Sequence, residues 1–432
     1  MNSSKKIFLK EVRNFAHKST SLKNVTPWFK TKKAKLKLAV FIFVTFVATL
    51  SLSLWMNWEM PIISPINSLT TFSFLNEPRA MKNNKKIIYG FLPYWNIDKV
   101  TLQDELTHLG YFSLTLDANG KFIESYGDGE LDMGLRRLNS ESFLDIGNTL
   151  IDKNKHVEIV ISQFNHGDIV AFLGSKQAQE NFYVSLDNVL LAYPINGVNI
   201  DIETSGATTE SLRNNMTSFM KDLRAHLQKK YSHVQLSIDM YAGAAENKQI
   251  WDVQEIAPYV DYIIVMAYDF HRSSSQKAGP VAPLFGDTAN WEESISMYFQ
   301  SFLQQAPREK VVLGIPFYGY EWQTTSRDAK SHTFPDTGAT ASYSRVLELL
   351  ERKEELQVQE HWNEMALSPY ISYVEDGEIY VVYYENSRSI SYKLDYVNQL
   401  DLGGIAIWAL GYEGESRELW DVLQRKINIK SE

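Results

Sequence analysis

Short apolar runs recur along the chain from residue 86 onward, and they alternate with stretches of a different period. Rich in Val, Ile, Leu and aromatic residues, the runs occupy residues 86–94, 109–116, 157–164, 198–203, 234–241, 260–269, 310–317 and 403–408. Most intervening stretches, such as 209–229 and 291–305, show the spacing of a helix. Buried strands that alternate with helices form parallel β/α units. Eight such units within roughly 340 residues predict an α/β fold, a closed (β/α)8 TIM barrel.

The gap between the seventh and eighth runs is longer than the others. It contains a helical pattern at 343–355 and strand-like runs at 370–373 and 378–384, with a turn at 375–377 between them. The sequence therefore predicts a small α+β insertion, about residues 323–388, between strands 7 and 8 of the barrel.

The fourth run carries candidate chemistry, because apolar and polar residues alternate strictly from Val198 to Glu203. The polar face holds Asn199, Asp201 and Glu203, and same-face neighbours on a strand lie about 6.5–7 Å apart. Two carboxyl groups this close cannot both ionise freely, so we expect the pKa of one to be raised. A carboxyl that stays protonated near neutral pH can act as a general acid. The alternative interpretation is a solvated strand face.

The N-terminal region has the pattern of a membrane anchor. Residues 38–56 are all apolar or small hydroxyl residues, and none is charged. Nineteen such residues just span a bilayer core. Basic residues precede this stretch and none follows it until Arg79, which predicts a cytoplasmic N-terminus and an extracytoplasmic remainder. We therefore predict a basic cytoplasmic tail (1–37), a single-pass transmembrane signal-anchor helix (38–57), a linker (58–84) and a barrel domain (85–427). The alternative is a cleavable signal peptide.

Charge and cysteine content narrow the classes of function. Residues 1–37 hold ten Lys and one Arg against one Glu, whereas the whole chain carries −9, so the remainder carries −19. An acidic remainder argues against nucleic acid as an electrostatically recruited partner. The chain has no cysteine, which excludes disulfides, cysteine metal sites and a cysteine nucleophile.

Five motifs stand at the predicted carboxyl ends of barrel strands, where the active sites of such barrels lie. They are G-F-L-P-Y-W (90–95), N-I-D-I-E (199–203), M-A-Y-D-F-H (266–271), G-I-P-F-Y-G (314–319) and W-A-L-G (408–411). Together and in this order they resemble glycoside hydrolase family 18, the chitinases and their relatives. The N-I-D-x-E form is similar to the branch that includes spore-cortex and peptidoglycan-type glucosaminidases. Asn196 and Asn199 replace two acids of the family signature, and S-Q-F-N (162–165) replaces its S-x-G-G.

The resemblance implies a substrate-assisted retaining mechanism, in which the 2-acetamido oxygen of the substrate is the nucleophile. Glu203 would protonate the glycosidic oxygen, Asp201 would hold the acetamido N–H, and Tyr268 would donate to the acetamido carbonyl. The implied substrate-binding residues are Asn199, Met266, Asp269, Trp408, Trp95 and Tyr318, with Asp269 on sugar hydroxyls and Trp408 as the apolar floor. The implied substrate is a β-linked N-acetylglucosamine glycan, namely peptidoglycan, chitin or chitooligosaccharide, with no cofactor and no metal.

Each residue also has a structural interpretation. Tyr268 and Trp408 are also compatible with barrel core, and Asp269 with the N-cap of a helix after strand six. Sugar stacking and half-exposed packing remain open for three tryptophans, Trp95, Trp322 and Trp362. His166 and His271 could be metal ligands, but neither has acidic or His partners at ligand spacing. The alternative function is a non-catalytic glycan-binding barrel at the cell surface.

Overall fold

The computed structural model describes residues 86–127, 129–231, 233–247, 249–286 and 293–427. The strands within these residues are, in chain order, β1 (Ile87–Pro93), β2 (His108–Thr115), β3 (His156–Gln163), β4 (Gly197–Ile202), β5 (Gln235–Tyr241), β6 (Tyr262–Met266), β7 (Val311–Pro316), β8 (Tyr318–Thr324), β9 (Ala339–Ser342), β10 (Gln359–Asn363), β11 (Ser368–Glu375), β12 (Glu378–Tyr383) and β13 (Gly404–Trp408). The helices are α1 (Met133–Leu138), α2 (Glu141–Asp152), α3 (His166–Gly174), α4 (Lys176–Ala192), α5 (Glu210–Lys230), α6 (Val253–Ile256), α7 (Ile295–Gln305), α8 (Tyr343–Glu351), α9 (Ser387–Gln399) and α10 (Glu418–Lys426).

Eight parallel strands close into a barrel in the order β1-β13-β7-β6-β5-β4-β3-β2. Each of the eight coincides with one of the apolar runs, which confirms the predicted barrel. On β4, Val198, Ile200 and Ile202 are fully buried in the large core between the strands and the helices. The alternate residues therefore face the barrel interior, where the polar side of this strand is enclosed.

The helices cover the barrel because each presents an apolar stripe to it. In α5 the Thr209 hydroxyl accepts a hydrogen bond from the Leu212 N–H and so caps the helix. The buried residues of this helix recur at three- and four-residue intervals and are Leu212, Met216, Phe219, Met220, Leu223 and Leu227. Lys229 and Lys230 lie in the last turn, where positive charge opposes the negative end of the helix dipole.

A second, antiparallel sheet lies between β7 and β13 in the chain, and its strand order is β10-β11-β12-β8-β9. It begins at Tyr318, five residues before the predicted boundary, because β8 follows β7 almost at once. The predicted helix at 343–355 ends earlier, at Glu351. The strands β8, β9 and β10 were not predicted; β8 pairs with β12, which is more than fifty residues away in the chain.

The predicted cytoplasmic tail, transmembrane helix and linker lie outside the described residues. Within the part of the chain that the structure does describe, none of the helices combines the length and the apolar character that a membrane span needs.

Candidate active site

Asp201 and Glu203 lie where β4 ends, at the carboxyl end of the barrel. Asp201 is 3% exposed, and Glu203 is half-buried in the cleft above it. The two side chains lie close enough that each shifts the pKa of the other. Tyr241, at the end of β5, lines the cleft beside Glu203 and also affects the pKa of Glu203. The alternation predicted for this strand therefore brings both acids to one open end of the barrel.

Burial controls the protonation of these two carboxyl groups. It raises the pKa of Asp201 well above its usual range, and the charges of Glu203 and Asp239 raise it further. Burial also raises the pKa of Glu203, against the opposing effect of its interactions with Tyr241 and Asp201. Two neighbouring carboxyl groups that both resist ionisation titrate as a pair, which favours forms that keep a proton between them.

Tyr268 and Asp269 follow β6 and face the same cleft. Burial, together with the nearby carboxylates, raises the pKa of Tyr268, so its hydroxyl stays protonated and can donate a hydrogen bond. Gly314 on β7 leaves room for this ring, because a Cβ there would lie 3.1 Å from Tyr268 Cε1 and 2.6 Å from the Val265 carbonyl oxygen.

Asp269 is fixed by the first strand of the insertion. Its Oδ1 accepts hydrogen bonds from the hydroxyls of Tyr318 and Tyr320, the latter at 3.0 Å. Its backbone has φ = +63°, a left-handed conformation that Asp tolerates better than most residues. The Arg272 Nε lies 3.8 Å from its Oδ2. The structure contradicts the N-cap interpretation, because no helix occurs in the described residues between Asp269 and Ile295.

Trp408 closes the bottom of the cleft from the end of β13. Its ring meets Phe112 edge-on, with centroids 4.7 Å apart, and lies 5.6 Å from the Phe91 ring. One side of the indole is therefore packed on the barrel interior, and the residue also lines the cleft. An aromatic surface in this position can carry a sugar ring.

The cleft encloses about 310 Å³. Seven of the nine predicted site residues line it: Asp201, Glu203, Met266, Tyr268, Asp269, Tyr318 and Trp408. The structure adds further lining residues that the sequence did not single out as site residues: Phe112, Phe164, Asp239, Tyr241, Arg272, Tyr320, Thr340 and Tyr412.

Two predicted site residues do not line the cleft. Asn199 is fully buried beneath it, and its side-chain N–H groups donate to Ser237 Oγ at 2.9 Å and to Asp239 Oδ1 at 2.8 Å. Its side chain therefore does not line the cleft, and its amide donates to Asp239 rather than to Asp201. Trp95 is 44% exposed, and its ring packs edge-on against Phe112 with centroids 6.2 Å apart, beside the cleft wall.

The remaining candidates have structural roles. Trp322 is fully buried and donates to the carbonyl oxygens of Arg272 and Ser273, both at 3.1 Å, so it cannot stack on a sugar. The Arg388 guanidinium lies 3.8 Å from the centre of the Trp362 ring and covers one face of it. A ring nitrogen of His166 forms a 2.7 Å hydrogen bond with Thr204 Oγ1.

Asp239 and Tyr241 had a signal in the sequence. From Leu236 to Tyr241, apolar and polar residues alternate on the fifth run much as they do on the fourth. Ser237, Asp239 and Tyr241 therefore share one face, which the register of β5 against β4 turns into the barrel.

Known proteins are similar to this chain in sequence and in fold. The family described as Glycosyl hydrolases family 18 matches residues 70–413. An uncharacterized glycosylase of Bacillus subtilis is 28% identical over 279 residues, which are 62% of this chain and 73% of that protein. The chain spans about half the length of several other curated relatives that it matches.

Two solved structures illustrate the shared fold. A family 18 chitinase from Cycas revoluta, in complex with (GlcNAc)3, superposes with a TM-score of 0.66 at 21% identity, covering 79% of this chain and 99% of that one. The spore cortex-lytic enzyme SleL of Bacillus megaterium superposes with a TM-score of 0.61 at 17% identity, covering 81% of this chain and 76% of that one. The family match confirms the predicted glycosidase class: the chain belongs to glycosyl hydrolases family 18.

Proposed function

We propose that this chain cleaves β-linked N-acetylglucosamine glycans by a substrate-assisted retaining mechanism. The observation that carries the proposal is the pair of neighbouring acids Asp201 and Glu203, held in one cleft with Tyr268 and Trp408. A buried carboxyl that keeps its proton near neutral pH suits general acid catalysis.

Glu203 is the proton donor in this proposal. It is half-buried at the cleft surface, whereas Asp201 lies deeper, so Glu203 is the acid that a bound glycan can reach. The proton moves from Glu203 to the glycosidic oxygen as the bond from that oxygen to the anomeric carbon breaks. Water later adds to the anomeric carbon and returns a proton to Glu203.

The acetamido group of the substrate is the nucleophile in this proposal. Its carbonyl oxygen bonds to the anomeric carbon as the glycosidic bond breaks, which gives an oxazolinium ion. Water then opens this ion from the opposite face, so the configuration is retained overall. Asp201 accepts the acetamido N–H and balances the positive charge that develops. Tyr268, whose raised pKa keeps its hydroxyl protonated, donates to the acetamido oxygen and orients it.

The other lining residues position the sugar. Trp408 provides an apolar floor under the reacting ring, and its exclusion of water strengthens the electrostatic contacts above it. Asp269, held through Oδ1 by Tyr318, presents its other carboxylate oxygen, Oδ2, toward sugar hydroxyls. Met266 completes the wall between Trp408 and Tyr268 as an adaptable apolar contact.

Similar proteins of known structure support this substrate class. One solved family 18 chitinase holds (GlcNAc)3, and another similar structure is a spore cortex-lytic enzyme. We propose a glycan of the cell surface, peptidoglycan or a chitin-type oligosaccharide, as the substrate of this chain.

We also propose that the barrel is held outside the cell membrane by the apolar stretch at residues 38–57. The support is the sequence alone: residues 38–56 are nineteen apolar or small hydroxyl residues that follow a strongly basic segment. A reporter that is active only after export, fused after residue 432, should be active. Release of a species that starts after residue 50 would contradict the anchor.

The test of the mechanism compares two substrates. The purified chain is incubated with chitooligosaccharides and peptidoglycan, and products are identified by mass. Matched, fully de-N-acetylated oligosaccharides should not be cleaved, because they cannot form the oxazolinium ion. Equal rates on both would require a protein nucleophile, and binding without cleavage of any acetylated glycan would identify a lectin-like protein.

A further inference from the structure

A third carboxyl group lies beside the catalytic pair and comes from a different strand. Asp239 on β5 is 2% exposed and lines the cleft together with Asp201 and Glu203. Ile200 on β4 pairs with Ile238 on β5. The residues that follow them, Asp201 and Asp239, therefore lie side by side. Adjacent strands are about 4.8 Å apart.

Asn199 joins Asp239 to the strand of the catalytic pair. Its Nδ2 donates to Asp239 Oδ1 at 2.8 Å and to Ser237 Oγ at 2.9 Å. A carboxylate at position 199 would face the Asp239 carboxylate at this distance and would repel it. The amide at 199 and the acid at 239 therefore fit each other, and each would be unfavourable without the other.

We propose that Asp239 supplies, from β5, the carboxylate that the family signature places at position 199 on β4. Asp239 is a positioning residue in this proposal, because it acts on the substrate only through Asp201. The inference rests on the proposed function, since the task assigned to Asp239 is to keep the proton on the Asp201–Glu203 pair. The carboxyl that is missing at position 199 is thus replaced from the neighbouring strand.

Opposing effects act on the charge of Asp239. Burial raises the pKa of Asp239 well above its usual range, the charges of Glu203 and Glu158 add to the rise, and the hydrogen bond from Asn199 opposes it. Asp239 therefore resists ionisation, as Asp201 does, and the Asn199 amide is the contact that favours its carboxylate form. A negative charge there in turn raises the pKa of Asp201, as the charge of Glu203 also does.

The groups that face Asp239 come from four strands. Titratable side chains whose charges interact with it are Tyr89 on β1, Glu158 on β3, Asp201 and Glu203 on β4 or at its end, and Tyr268 after β6. Ser237 links the lower part of this set, because its hydroxyl donates to Glu158 Oε2 at 2.5 Å. Asn199 and Ser237 are the neutral side chains around Asp239. On the neighbouring strand, Asp239 is the acid closest to Asp201.

An exchange of the two residues tests the proposal. Asp239→Asn keeps the acceptor oxygen for Asn199 but removes the charge, so both limbs of the pH profile of kcat/KM should move down by about 1–3 units. Asn199→Asp adds a carboxylate, so both limbs should move up. The double variant Asn199→Asp/Asp239→Asn returns the charge to β4, and its profile should return to that of the wild type.

Two results would overturn the proposal. One is a folded Asp239→Asn variant that loses activity while its pH limbs stay in place. The other is a folded double variant whose profile matches that of Asp239→Asn. If the double variant does not fold, the profile of Asp239→Asn alone decides, because a purely structural role would not move it.

A second measurement needs no turnover and so separates this proposal from the proposed function. A carboxyl with a raised pKa in the folded state gives stability below its unfolded pKa, which is lost as pH rises through its folded pKa. The melting temperature of Asp239→Asn should therefore fall less than that of the wild type between acidic and neutral pH. Recovery of the wild-type slope in the double variant supports the exchange even if no glycan is cleaved, and unchanged slopes in all variants contradict it.

Glu158→Gln is the matched control. It removes another fully buried carboxyl of the same interior, hydrogen-bonded to Ser237 and Tyr89 but absent from the cleft lining. Its pKa is raised to about 8, so the variant should change the pH dependence of the melting temperature. Limbs of kcat/KM that move as far as in Asp239→Asn would show a general effect of interior charge and contradict the assignment.

Discussion

Buried carboxyl groups meet two different surroundings in this molecule. Glu385, just after β12, is 1% exposed, and its Oε2 lies 2.7 Å from the Nζ of Lys393 on α9, which is also fully buried. Asp201 is almost as deeply buried, but it makes no salt bridge with any residue in the described ranges, and its neighbours Glu203 and Asp239 are acids. One carboxyl is matched by a cation, and the other is surrounded by groups of its own sign.

The difference separates a structural site from a chemical one. Burial raises the pKa of Glu385 and lowers that of Lys393, while the attraction between them opposes both shifts. Whether the two groups are both charged or share the proton between them, each is satisfied by the other. The pair therefore neither gives a proton to an external group nor takes one from it. At Asp201, burial and neighbouring charge act in the same direction, and the proton that is retained lies beside an open cleft.

The largest effect should follow removal of the proton donor. Glu203→Gln keeps the shape of the side chain and its hydrogen-bonding atoms but has no acidic proton to give. We expect kcat on an acetylated chitooligosaccharide to fall by about 10²–10⁴. Glycan binding, measured by calorimetry, should persist.

Glu385→Gln is the matched control for this variant. It changes a carboxyl that is more deeply buried and lies outside the cleft, so stability should fall while the kcat of the folded protein remains near that of the wild type. A Glu203→Gln enzyme with kcat within a factor of three of the wild type would contradict the assignment of the acid.

A smaller effect, on stability, is expected at the ion pair. Lys393→Met leaves Glu385 buried without its cation, which should lower the free energy of unfolding by about 3–5 kcal/mol in urea titrations. The double variant Lys393→Met/Glu385→Leu removes both charges and should recover most of that loss, because a buried pair adds little over apolar packing. A double variant as unstable as the single one would show that the pair contributes through its packing.

The barrel and one part of the site follow directly from the sequence. The apolar runs predict all eight barrel strands because each strand is enclosed by helices on one face and by the interior on the other. The strict alternation from Val198 to Glu203 predicts that Asp201 and Glu203 point the same way, and the structure places both in the cleft.

The features that were missed depend on contacts between distant segments. Asp239 is one acid in an ordinary strand pattern, and only the register of β5 against β4 places it beside Asp201. The same register places the Asn199 amide against Asp239, to which it donates a hydrogen bond. The first two residues of β8 belong to the G-I-P-F-Y-G motif. The strand itself does not follow from the sequence, because its partner β12 lies far along the chain.

The smallest effect is expected where the insertion meets the cleft, at Tyr318. Its hydroxyl donates to Asp269 Oδ1, and Tyr320 donates to the same oxygen at 3.0 Å, so either variant leaves one donor in place. A hydrogen bond to a charged group contributes about 1.5–3 kcal/mol, and with the second donor retained we expect the low end, about a tenfold rise in KM for Tyr318→Phe. The value of kcat should change less, because Asp269 positions sugar hydroxyls away from the reacting bond. Burial raises the pKa of both tyrosines, so neither hydroxyl loses its proton in the assay range, and the ratio of wild-type to variant KM should be constant between about pH 5 and 9.

Tyr320→Phe is the control, since it removes the other donor to the same oxygen. A fall in kcat that exceeds the rise in KM, or a ratio that varies with pH, would mean that Tyr318 acts on Tyr268 and the reacting acetamide, because the Tyr318 and Tyr268 rings also touch, with centroids 6.2 Å apart.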